Sequence, residues 1–180
     1  IDRFISDKEL DAGASEELAS YNVFTATEAR LLDSIVINKF GISGYELMKR
    51  AGCFSYETLK KTWPDVTSIL VVCGCGNNAG DGYVLAKLAV EDGKNVRVFN
   101  CFNPEKLDGE AKTAYQDLLT TNVRIEKQFS VRDGQDDNMF QKGFWNKTAP
   151  VVVDAIFGTG LTRDICEENL VDVIRKINKY

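Results

Sequence analysis

The segment Gly74-Cys75-Gly76-Asn77-Asn78-Ala79-Gly80-Asp81-Gly82 carries the densest chemistry in the sequence. Glycines between an apolar strand and a helix let bare backbone N–H groups close on phosphate oxygens, and a helix N-terminus adds partial positive charge. The spacing Gly74-x-Gly76-x-x-Ala79 satisfies the dinucleotide fingerprint in its alanine form. A Walker phosphate loop does not fit, because Asp81 stands after Gly80 where lysine is required. An NAD dehydrogenase is disfavoured as well, since the second strand ends in Phe99-Asn100-Cys101-Phe102 without the ribose-binding carboxylate. Asp81 puts a carboxylate where phosphate is expected, which is costly unless it caps the helix, faces a sugar hydroxyl or shares a cation. Asp154 ends a separate apolar run just before Gly158-Thr159-Gly160 and would enter the same crevice from another strand, its alternative role being that of a turn-forming aspartate. Asn78 and Asp154 together offer the hard oxygen donors that alkali and alkaline-earth ions take.

Other chemistries are excluded by residue type. The sequence contains no histidine, which removes Ser-His-Asp and Cys-His catalysis. Cys73 and Cys75 are one residue apart and no second cysteine pair exists, so a structural zinc site lacks ligands. Cys53, Cys73, Cys75, Cys101 and Cys166 form an odd set with three members in or beside strands, which suits a reducing compartment. A formal net charge of -5 opposes general nucleic-acid binding. No apolar run approaches a membrane span and nothing points to export. The expectation is a cytoplasmic protein, with the mitochondrion or another organelle left open.

The elements that must position these residues follow from periodicity. Residues 1–21 read as an acidic arm or surface helix without chemistry, and residues 22–180 as one domain. Thr25-Ala26-Thr27-Glu28 has capping-box spacing before Leu32, Ile35, Val36 and Phe40, and Gly41 offers a stop. Ser43-Gly44-Tyr45-Glu46 repeats that signal ahead of a second helix that Pro64 ends. Strands are predicted at Ser68 to Cys73, Asn95 to Cys101, Val123 to Lys127 (the weakest) and Pro150 to Asp154. Between and after them, helices are marked by Val84, Leu85, Leu88 and Ala89, by Ala111, Ala114, Tyr115 and Leu118, by a short stretch near Met139 to Trp145, and by Leu170, Val173, Ile174 and Ile177. This alternation predicts an α/β fold: a Rossmann-like three-layer αβα arrangement with a mainly parallel sheet and the N-terminal helices packed on it. Ligands of such sheets sit beyond the strand C-termini, where the two unusual loops begin.

These residues resemble the NAD(P)H-hydrate epimerase family, also described as the YjeF N-terminal domain. The resemblance runs from about Tyr21 to Tyr180 on three anchors in order: Glu46 to Gly52 (ELMKRAG), Cys73 to Gly82 (CGCGNNAGDG) and Val153 to Leu161 (VDAIFGTGL). It implies epimerisation of hydrated NAD(P)H (NAD(P)HX) between its R and S forms as nicotinamide nucleotide repair, with a dehydratase, fused or separate, restoring the cofactor. It further implies that Asn77, Asn78, Ala79, Gly80 and Asp81 hold the substrate from one side and Gly158, Thr159, Gly160, Leu161, Thr162, Arg163 and Asp164 from the other. On the same footing, Asn78 and Asp154 would bind K+, and a homodimer is expected. As catalytic residues, Asp154 would order ion and substrate while Asp81, or a carboxylate beyond this chain, handles protons. In the family the domain continues into further strands and an Asp-x-Pro-Ser-Gly segment, so this chain is expected to stop before the last strands, as one piece of a longer protein. A related domain in enhancers of mRNA decapping uses the fold for assembly, which makes a non-catalytic scaffold or nucleotide-binding module the alternative; the intact Asn-Asn-x-Gly-Asp core favours the enzyme.

Overall fold

A computed structural model describes residues 24–127, 150–162 and 164–179. The acidic arm, the helix expected near Met139 to Trp145, and Arg163 lie outside the described residues. Two compact units are present, Ile1–Phe40 and Gly41–Tyr180. In the first, α1 (Ala26–Phe40) begins with the expected reciprocal box. Glu28 N–H donates to Thr25 Oγ1 at 3.3 Å, and Thr25 N–H donates to Glu28 Oε2 at 2.7 Å. Gly41 follows the helix with φ +68°, the left-handed conformation that glycine adopts without strain.

The second unit contains α2 (Gly44–Thr62), β1 (Ser68–Cys73), α3 (Asn77–Glu91), β2 (Asn95–Asn100), α4 (Gly109–Leu118), β3 (Arg124–Lys127), β4 (Val151–Ala155) and α5 (Glu168–Ile177). The four strands pair in parallel in the order β3-β2-β1-β4. Every residue of β1 is buried, because both faces of this central strand are covered. Ile69, Val71 and Cys73 join Val96 and Val98 under Tyr83, Leu85 and Ala86 of α3 and Ala114 and Leu118 of α4. Leu70 and Val72 join Phe99 and Ile156 under Leu170 and Val173 of α5. Helices on both faces give the three-layer αβα architecture that the apolar runs predict, with each buried Val, Ile or Leu contributing about 2 kcal/mol. Among the described residues β3 pairs with β2 alone and is partly exposed, an edge position that matches its weak pattern.

α2 is capped by Ser43, whose hydroxyl accepts from Glu46 N–H at 3.1 Å. It ends at Thr62, just before Pro64, as the proline requires. Its buried stripe is Met48, Gly52, Tyr56 and Leu59, and it packs against α3 and α4 in the same helical layer. Glycine permits that approach. A Cβ on Gly52 would stand 2.6 Å from the Val84 side chain and 3.0 Å from the Asp81 carbonyl, and one on Gly80 would stand 2.5 Å from Met48. The first of the three anchors is thus a packing motif that braces the start of α3 from behind.

Candidate active site

The strand order fixes where a crevice must open. From β1 the chain moves to β2 and β3 on one side, then returns to place β4 on the other, so the order reverses between β1 and β4. Ligands of open α/β sheets bind outside the strand C-termini at such a switch point. The turn after β1 and the turn after β4 meet there. Gly74 N–H donates to the Ala155 carbonyl at 3.0 Å, and the Asn78 amide Nδ2 donates to the Phe157 carbonyl at 2.8 Å. A side chain at Gly74 would strike the carbonyl of Ile156, and one at Gly158 would come within 3.2 Å of Asn78 Cβ. Bare glycines let the two turns touch.

The Gly-rich turn is shorter than its sequence suggests. Gly76 is the N-cap of α3 and the helix begins at Asn77, so Asn77 to Asp81 form the opening of the helix and not a loop. The reading of Asp81 as helix cap is therefore corrected: the cap is Gly76, it makes no side-chain capping bond, and Asp81 lies a full turn further in. No acidic residue occupies the first turn. Ala79 and Gly80 N–H bond back to the Gly76 carbonyl at 3.0 and 3.3 Å, while an uncapped N-terminus presents its leading amides outward with their partial positive charge. Asn78 and Asp81, three residues apart, share one stripe of the helix. Asp81 is half-buried.

Asp154 lies opposite Val72 in the β1–β4 register. Its Oδ1 accepts from Ile156 N–H at 3.0 Å, the turn-stabilising bond open to a short carboxylate, and the residue as a whole is exposed. Its charge is felt nearby. Burial, then Asp154, then Cys75 push the Cys101 thiol up to about 12, and burial above all, with Cys101 and Asp154, raises Cys73 far above the ordinary thiol range. Thr159, Gly160, Leu161, Thr162 and Asp164 follow on the exposed second turn. Sequence reasoning missed the Phe157 carbonyl as the partner of Asn78, since a backbone acceptor leaves no signature in residue type. Tyr83, whose hydroxyl donates to buried Asn100 Oδ1 at 2.7 Å and fastens α3 to the end of β2, was also unforeseen as part of the support.

A donor set of one amide, one carboxylate and surrounding carbonyls suits an alkali ion in kind. With its nitrogen on Phe157, Asn78 is left an amide oxygen to offer, and Asp154 keeps one oxygen beyond its turn bond. Among the described residues no group of three or more Cys, Asp or Glu side chains could hold a metal unaided.

The fold and the crevice define a Rossmann-like αβα domain with its candidate site at the switch point of a parallel sheet. The family described as YjeF-related protein N-terminus matches residues 44–180, and the chain belongs to it. Among curated relatives, an NAD(P)H-hydrate epimerase of Roseobacter litoralis is 31% identical over 151 residues, covering 80% of this chain and 66% of that protein. Another of that name from Lentilactobacillus buchneri is 34% identical, covering 78% of this chain and 60% of its own length. The Bifunctional NAD(P)H-hydrate repair enzyme Nnr of Escherichia coli is 31% identical, covering 89% of this chain but 28% of that protein. The chain thus spans no more than 66% of these relatives. The crystal structure of yeast ynu0 superposes with a TM-score of 0.70 at 22% identity, over 88% of this chain and 65% of that one, which shows the shared fold.

Proposed function

We propose that the protein of which this chain forms the domain epimerises hydrated NADH and NADPH at the hydroxylated ring carbon, as the isomerase step of nicotinamide nucleotide repair. The observation that carries this reading is the meeting of an uncapped helix N-terminus with a glycine-rich turn from a distant strand, joined by the Asn78 bond to Phe157. Residues Asn77 to Asp81 would receive the diphosphate, and Gly158, Thr159, Gly160, Leu161, Thr162, Arg163 and Asp164 would close over the nucleotide from the other side. Gly76, where an added Cβ would meet nothing within 4 Å, keeps a side chain away from the approaching phosphate oxygens, while Gly74 lets the second turn close on the first.

The hydroxyl to be inverted sits on the carbon attached to the ring nitrogen. Its departure as water leaves an iminium-like cation that can be rehydrated on either face, and this requires a proton delivered to oxygen and then withdrawn. Asp154, oriented by its bond to Ile156, would order the substrate and stabilise the cation, while Asp81 would exchange the proton. Potassium held by Asn78 and Asp154 would supply a fixed positive charge offsetting that of the diphosphate. The bifunctional relatives support a dehydratase, fused or separate, as partner. We further infer that residues 22–180 form the epimerase-type domain behind an acidic arm at 1–21, that the protein is a cytoplasmic homodimer, and that the five free cysteines accord with a reducing compartment.

The test is incubation of the full-length protein with one purified epimer of hydrated NADPH, with potassium or with sodium, following the other epimer by chromatography. Exchange far above the buffer rate, and faster in potassium, is expected. Exchange at the buffer rate in both salts would remove the proposal.

A further inference from the structure

Beneath the helix proposed to receive the diphosphate, one fully buried side chain is left incompletely bonded. Asn100 closes β2; its Oδ1 accepts from the Tyr83 hydroxyl at 2.7 Å, and its buried Nδ2 has no hydrogen-bond partner. Tyr83 is also fully buried, its ring against that of Tyr115 in α4 with centroids 5.1 Å apart. An unmet amide between a helix and a sheet weakens the folded state, whereas two apolar side chains of similar shape would fill the same place without that penalty. What a polar pair adds in such a place is direction, because a hydrogen bond selects one arrangement of its partners and apolar contact does not.

The pair lies level with the strand ends beyond which the crevice opens. Asn100 stands opposite Cys73, the last residue of β1, in the parallel register. Gly82, the neighbour of Tyr83, approaches the last residue of β4: an added Cβ there would stand 2.7 Å from Ala155 Cβ and 3.3 Å from Cys73 Sγ. That glycine contact brings α3 close to the sheet but leaves it free to slide, since no side chain interlocks. Asn77, where α3 begins, is about 9 Å along the helix axis from Tyr83, so any slip at Tyr83 is carried to the leading turn. We propose that Tyr83 and Asn100 are positioning residues: their bond sets where the leading turn of α3 stands relative to the turn after β4, and so how well the crevice grips the diphosphate, while leaving the fold less stable than an apolar pair would. The part that concerns the diphosphate rests on the reaction proposed above; the part that concerns the helix does not.

Two variants of the full-length protein test this. Tyr83→Phe with Asn100→Leu removes the bond and the unmet amide together, and Tyr83→Phe alone removes the bond but keeps the amide. The double variant should unfold at a urea midpoint equal to or above that of the parent. In it, amide hydrogen exchange at Ala79 and Gly80, whose N–H groups bond to the Gly76 carbonyl, should run about tenfold faster or more. Its KM for hydrated NADPH should rise about tenfold while kcat changes less than about twofold, a split that a loss of stability alone does not produce. Tyr83→Phe alone should show the same exchange and the same KM at a lower urea midpoint. A double variant less stable than the parent would make the pair an ordinary stabilising bond and overturn the proposal. Parental exchange at Ala79 and Gly80 in both variants would overturn it as well, whatever the midpoints. Faster exchange with an unchanged KM would overturn the link to the diphosphate. A parent that shows no epimer exchange, while the variants loosen the leading turn as expected, would count against the proposed reaction and support the role of the pair in placing the helix.

Discussion

Asp154 offers a turn bond and a charge, and single substitutions can separate the two. One oxygen accepts from Ile156 N–H, and an asparagine amide oxygen can accept the same bond. Asp154→Asn is expected to leave stability within about 0.5 kcal/mol of the parent while epimer exchange falls about a hundredfold, because the negative charge is gone. Asp154→Ala should lose the same activity and about a further 1 kcal/mol of stability, as the turn N–H loses its partner. Urea unfolding and turnover, measured side by side, check both; an Asp154→Asn protein with full turnover would reduce Asp154 to a turn former. At this scale the sequence was informative about type and silent about partner. Asn78 and Asp154 stood out as hard-oxygen donors beside two glycine-rich turns, with turn formation as the competing role for Asp154. That Asn78 reaches a carbonyl 79 residues away, and Tyr45 a carboxylate 72 residues away, is decided by the folded chain and by no local pattern.

The position of α3 depends on the absence of side chains where it meets its neighbours. A Cβ on Gly82 would stand 2.7 Å from Ala155 Cβ, and Gly52 and Gly80 do the same service between α2 and α3. Helix propensity alone argues against a helix opening on Asn-Asn-Ala-Gly-Asp-Gly, which is why the sequence reads as a long loop there; close packing on both sides outweighs that cost. Strands β1, β2 and β4 were legible for the opposite reason, since two-sided burial demands the continuous Val, Ile and Leu runs that the sequence displays. Gly52→Ala tests the brace. Alanine improves helix propensity by about 1 kcal/mol, yet the new Cβ meets the stiff, buried Val84 at 2.6 Å and the Asp81 backbone at 3.0 Å, so α2 must move off α3. The expected outcome is a net loss of about 1–2 kcal/mol in urea unfolding with a raised KM for hydrated NADPH. A variant as stable as the parent, with unchanged KM, would mean that α2 does not set the position of the turn proposed to receive the diphosphate.

Across the whole fold, protons are held tightly by several buried or half-buried phenols and thiols, and this sets how the molecule meets alkali. Alternating strands and helices foretold a parallel sheet, but the order β3-β2-β1-β4, which determines where the crevice opens and which groups become buried, was not readable from sequence. Tyr45 shows the consequence. Burial first, then its 2.7 Å bond to Asp117 Oδ2, the same oxygen that Lys87 reaches at 2.8 Å, pushes the phenol up to about 12 from an ordinary value of 10.0. Burial raises Tyr56 and Tyr83 further still and takes Cys101 to about 12. The sign follows from linkage: a group whose folded pKa is raised keeps its proton when the unfolded chain has lost it, so unfolding releases protons and becomes easier as pH climbs. The stability lent by Tyr45 is complete below about pH 10 and drains away toward about 12. Urea midpoints recorded through that window should fall steadily with pH. Tyr45→Phe should start about 1 kcal/mol lower at neutral pH, having lost the bond to Asp117, and then descend less steeply because one titrating phenol has been removed. Parallel descents for the two proteins would mean that Tyr45 ionises in the folded protein as freely as in the unfolded chain.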